Sequence, residues 1–91
     1  MKPGIIEKSS NGWKLSVIAN GSLSVNNDSL NSDDTDRIEE LLRPDFETRM
    51  KKEHVFVSYD NWSGVFIMYV ADGKSKKADE LIKEIYSFLK G

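Results

Sequence analysis

His54 is the only imidazole in the sequence, and there is no cysteine. Nucleophilic or acid–base chemistry of the Ser-His-Asp or Cys-His kind would therefore have to run through that one residue. Its neighbours do not supply the remaining parts. Glu53 precedes it and the alternating run Val55 to Asp60 follows, which marks His54 as an exposed strand-edge residue rather than a base held by an orienting partner. The glycines fall at turns and termini, and none opens a Gly-x-Gly-x-x-Gly or Walker spacing that would cradle a phosphate. The run Asn26 to Asp36 is rich in oxygen ligands, but an EF-hand register from Asp28 puts Leu30 at a ligand position and lacks the turn glycine. The sequence predicts no catalytic residue, no cofactor and no metal site.

Recognition chemistry is better represented. Residues 28–47 hold eight acids against Arg37 and Arg43, a local balance of −6, while the rest of the chain is mildly basic and the whole carries −2. Within that stretch Asp33, Asp34, Asp36, Glu39 and Glu40 crowd around the start of an expected helix, where carboxylates suit the helix dipole and where like-signed charge can steer a basic partner. Trp62 stands in the turn Asp60-Asn61-Trp62-Ser63-Gly64, flanked by small polar residues as an aromatic anchor of a binding hot spot would be. Its alternative placement is folded back over Phe56 or Ile67. A second, separate constellation is the basic segment Arg49-Met50-Lys51-Lys52-Glu53-His54 beside the strand aromatics Phe56, Tyr59, Phe66 and Tyr69, which could stack bases. The negative net charge and the acids interleaved with the lysines of the last helix argue against nucleic acid.

The elements that must position these groups follow from periodicity. Ala78, Leu81, Ile82, Ile85, Phe88 and Leu89 recur at helical spacing, with Ser75 as N-cap and Gly91 at the end. His54–Asp60 and Val65–Ala71 read as two strands of a hairpin. Setting Asp60 opposite Val65 gives one apolar face of Val55, Val57, Tyr59, Phe66, Met68 and Val70. The other face carries Phe56, Ile67 and Tyr69, too apolar to be left wholly to water. Trp13–Ile18 and Ser22–Val25 form an earlier hairpin. A two-residue Asn20-Gly21 loop would send Leu23 and Val25 to the wrong face, so the pattern selects a three-residue loop, Ala19-Asn20-Gly21, with Gly21 in the left-handed region. Trp13 belongs to the core. Ile5–Lys8 is a further short strand, and the acidic run Ser32–Asp36 precedes a helical segment Arg37–Arg43 with Ile38, Leu41 and Leu42 on one side, closed by Pro44. Pro44–Lys52 reads either as a second helical turn with Phe46 and Met50 inward or as loop.

With 91 residues, 38% hydrophobic and 31% charged, the chain is expected to form one domain over residues 1–91. No apolar run reaches the ~18 residues of a membrane span, the first residues lack the apolar stretch of a secretory signal, and the absence of cysteine suits a reducing compartment. The expected location is therefore cytoplasmic. The fold class is α+β: a single antiparallel sheet of four or five strands with two helices packed on one face, in the order ββ(β)-α-ββ-α. The layout and acidic patch resemble those of many small bacterial and phage-type proteins that act by binding another macromolecule, toxin-immunity proteins and other inhibitors among them. The function expected is a small non-enzymatic binding or inhibitor protein. It would present Asp33, Asp34, Asp36, Glu39 and Glu40, with Trp62, to a basic protein partner. The alternatives are a nucleic-acid-binding module using residues 49–54, and a homodimer joined through Phe56, Ile67 and Tyr69.

Overall fold

Two hairpins and three helices build the molecule, and the computed structural model describes residues 2–71 and 75–91. The first hairpin joins β2 (Lys14–Val17) to β3 (Leu23–Asn27). Val17 pairs with Leu23 and Leu15 with Val25, the register selected by the three-residue loop. Ile18 N donates to Ser22 O at 2.9 Å, Gly21 N donates to Ile18 O at 2.9 Å, and the Asn20 carboxamide oxygen accepts from Ser22 N at 2.9 Å. Gly21 sits at φ +86°, a conformation in which a Cβ would be strained. Ahead of this hairpin, β1 (Gly4–Lys8) pairs antiparallel with β2, with a register shift between Ile5 and Glu7.

The second hairpin, β4 (Val55–Asp60) and β5 (Val65–Val70), pairs from Val55 opposite Val70 through to Asp60 opposite Val65. Its first strand starts one residue later than expected. His54 lies at φ +57°, in the left-handed region. This is the chain's exit from a helix and not part of the strand, a correction that follows from the way helices end. The two hairpins meet through β3 and β5, giving one five-stranded antiparallel sheet in the order β1-β2-β3-β5-β4.

Three helices cover the apolar face, one more than the two expected. Helix α1 (Ser32–Leu41) ends before Pro44, and that proline then opens α2 (Pro44–Lys52) at its first position. A proline there loses no hydrogen bond, whereas carrying α1 through it would. Asp45 and Glu47 in the first turn and Arg49, Lys51 and Lys52 in the last fit the dipole of an independent helix. Helix α3 (Lys76–Lys90) crosses β2, β3 and β5, with α1 packed on α3 and α2 on β4. No helix among the described residues is long and apolar enough to cross a membrane.

One core holds these layers together. Trp13, Leu15, Val17, Leu23, Val25, Phe66, Met68 and Val70 from the sheet meet Ile38, Leu41, Met50, Ala78, Leu81, Ile82, Ile85 and Leu89 from the helices. The indole of Trp13 packs edge-on against Phe66, centroids 5.3 Å apart. In α3 the inward stripe includes Tyr86, while Phe88 turns outward. At about 100° per residue, positions 78, 82, 85 and 89 set the axis of the stripe, and Tyr86 and Phe88 lie on its two opposite flanks, about 70° and about 90° from that axis. Phase barely separates the two, so the expected inward Phe88 fails because the flank of Tyr86 is covered and that of Phe88 is not.

Candidate partner-binding surface

The acidic surface is built by α1 and begins at its cap. Asn31 precedes the helix in an extended conformation, and its side chain accepts from Asp34 N at 2.8 Å. Asp34 reciprocates, taking Asn31 N on Oδ2 at 3.1 Å, so the pair forms a capping box with aspartate in the usual glutamate position. The other oxygen of Asp34 accepts from Trp13 Nε1 at 3.0 Å, wholly inside the protein. Asp34 is 1% exposed. It is therefore unavailable to a partner and leaves the expected contact set, because an indole donor and a helix start both need its carboxylate.

The other four acids remain outside. Asp33, Asp36, Glu39 and Glu40 are all exposed. A helix turning about 100° per residue brings Asp33, Asp36 and Glu40 within about 60° of one another, with Glu39 on the adjoining flank. Among the described residues, no ion pair engages any of the four. Arg37, the nearest cation in the chain, donates to the carbonyl of Leu89 at 3.3 Å, at the C-terminal turn of α3. Arg37 is the one cation on α1, and among the described residues it forms no ion pair with the four acids.

Trp62 stands fully clear of the protein at 96% exposed, and the fold-back over Phe56 or Ile67 is not adopted. Its backbone explains why. Asp60 Oδ1 accepts from Trp62 N at 2.9 Å and Asp60 O from Gly64 N at 3.0 Å, which closes the tip into a tight turn with the indole on its outer side. Gly64 completes the turn at φ +71°. Its carbonyl then accepts from Leu30 N at 3.1 Å, immediately before the Asn31 cap. That single bond moors the tip of the second hairpin to the segment entering the acidic helix, a juxtaposition the sequence does not reveal because the two sites belong to different hairpin–helix halves.

The basic constellation is divided rather than gathered. Arg49 is engaged by Glu84 through contacts of 2.6 and 3.3 Å and lies over the Phe46 ring at 5.4 Å. The Glu84 carboxylate raises the Arg49 guanidinium pKa, and Arg49 lowers that of Glu84. Arg49 and Lys52 line a shallow cleft with Lys77, Glu80 and Glu84 on the helical side. Phe56 and Tyr69, the aromatics free to stack, lie on the opposite face of the sheet, where their rings stack on each other at 6.0 Å. Phe66 is buried and Tyr59 faces the core.

A larger groove of about 620 Å³ runs between α2 and β4, lined by Met50, Lys51, His54 and Val57 among others. Among the described residues there is no group of three or more His, Cys, Asp or Glu side chains that could hold a metal ion. At the far edge of the sheet, the Tyr86 hydroxyl and then the Lys90 ammonium, 3.2 Å away, hold the Glu7 carboxyl below its ordinary range. No protein family matches the chain, and comparison with curated proteins and with solved structures finds no match.

Proposed function

We propose that this chain is a non-enzymatic binding protein of the inhibitor type, which sets the acidic stripe of α1 against a basic surface on a protein partner. Asp33, Asp36, Glu39 and Glu40 supply the charge, and Trp62 supplies an apolar anchor beside it. The observation that carries this reading is the bond from Leu30 N to Gly64 O, since it joins the start of the acidic helix to a hairpin tip whose tryptophan has no protein around it. An exposed aromatic on a hairpin tip moored to the start of an acidic helix has the composition of a recognition surface: charge sets the rate of encounter and the aromatic slows escape.

The test is affinity capture from the native host with three forms of the protein. A partner should be retained by the native chain, released by raised salt, and lost both with Asp33→Lys combined with Glu40→Lys and with Trp62→Ser. A captured protein whose binding is indifferent to salt and to both sets of substitutions would overturn the reading.

A further inference from the structure

The two edges of the sheet are treated differently. Strand β1 carries an irregular register between Ile5 and Glu7, starts at Gly4 behind Pro3, and ends in Lys8. These are devices that discourage another strand from adding. Strand β4, the other edge, has none of them: its pairing is uninterrupted from Val55 to Asp60, and the strand contains no lysine, arginine, proline or glycine.

The ladder shows what that edge offers. Ala71 N donates to His54 O at 3.0 Å, and with Val55 opposite Val70 this makes 54/71, 56/69 and 58/67 the hydrogen-bonded pairs of the hairpin. The N–H and C=O groups of Val55, Val57 and Tyr59 therefore point away from β5, along the free edge. The same three residues line the groove beneath α2. An extended backbone laid along β4 would satisfy those groups and cover the groove in one step.

We propose that the strand laid there is β4 of a second copy of this chain, paired antiparallel about Val57 so that two five-stranded sheets become one. The strand is complementary to itself in that register. Val57 meets Val57, and Val55 meets Tyr59 of the second copy, on the groove face. On the other face Phe56 meets Ser58, and the two Phe56 rings become diagonal neighbours within reach of each other. That contact covers a side chain left 54% exposed in the single chain. Along the paired strands no like charges are opposed, since His54 falls across from Asp60 and the residues between them are uncharged. The interface is isologous and closes at two copies.

Sedimentation velocity of the whole chain over a concentration series tests it. The native mass should rise from one copy toward two, while Val57→Lys stays at one copy with an unchanged circular-dichroism spectrum. In a chain without cysteine, Val57→Cys should be joined to its copy by a short bismaleimide, because two Cα atoms about 5.5 Å apart across a hydrogen-bonded pair lie within that linker's reach. Ser16→Cys should not. If Val57→Lys does not fold, Phe56→Lys carries the same comparison from the half-exposed side of the strand. A native chain that stays single at millimolar concentration overturns the proposal, as does association unchanged by these lysines. So does a single chain whose Val55, Val57 and Tyr59 amides become protected only when an unrelated extended peptide is added.

Discussion

The indole nitrogen of Trp13 donates to the carboxylate of Asp34 across 3.0 Å, with both side chains sealed from solvent. The contact joins the residue just ahead of β2 to the first turn of α1, and it gives one aspartate two duties, capping the helix and satisfying a buried donor.

Replacing Asp34 separates those duties. Asp34→Ala removes the return half of the capping box and leaves the Trp13 N–H buried without an acceptor, an expected loss of about 2–4 kcal/mol. Asp34→Asn keeps an acceptor for the indole and should lose less than half as much. Urea denaturation of both variants, followed by circular dichroism, measures the difference; equal losses would show that the indole bond contributes nothing.

The two tryptophans should respond oppositely to a soluble quencher. Trp62, in water, should account for nearly all iodide quenching of the fluorescence, and Trp62→Phe should leave an emission that is blue-shifted and protected. The same substitution should change stability by no more than about 0.5 kcal/mol, as expected at a surface position without packing.

Tyr86 predicts an alkaline limit. Burial, aided by the neighbouring Glu7 carboxylate, pushes its phenol up to about 12. A folded value above the unfolded one of about 10 means that the contribution is complete below pH ~10 and is lost as pH rises toward 12, on the order of 2 kcal/mol. Tyr86→Phe should flatten that limb of the stability profile. Glu7 acts in the other direction: its folded value is depressed by Tyr86 and Lys90, so its contribution is present above the unfolded carboxylate value and fades as pH falls through the folded one. Glu7→Gln should remove that acidic component.

His54 reports on the α2 to β4 junction. At φ +57° a β-branched side chain is strongly disfavoured while asparagine is tolerated. His54→Val should therefore melt lower than His54→Asn, by about 1–2 kcal/mol in stability. Equal melting would mean that the junction does not hold the left-handed conformation in solution.

Where local pattern and tertiary need agree, the fold can be read from residue types. The phase of Trp13, Leu15 and Val17 against Leu23 and Val25 picks out a three-residue loop over the commoner two-residue one, and Val17 pairs with Leu23 accordingly. The β4–β5 register from Asp60 and Val65 is legible for the same reason. The departures occur where one residue serves two masters. Asp34 reads as one more surface acid in a run of acids, since nothing local announces that an indole twenty-one positions earlier needs its oxygen. Phe88 outranks Tyr86 by hydrophobicity and the two flank the stripe at similar angles, yet only Tyr86 is buried, because the covering of each flank is set by tertiary packing. Helix α2 was ambiguous because Pro44 signals an end and a beginning alike. Of the candidate surface, the acids were visible as composition. The clearance of Trp62, and its tether to Leu30 through Gly64, depend on how the two hairpins dock.

That docking also dictates the order in which the chain can acquire its shape. Each hairpin closes over a few residues, but β3 and β5 must find each other across the whole span of α1, α2 and β4, and the entropy of drawing those distant segments together has to be spent before their pairing gives anything back. The seam from Ser24–Tyr69 to Asn27–Phe66 is therefore where folding should be slowest, and substitutions along it should retard the search for the native state, whereas changes at either hairpin tip should mainly hasten its loss.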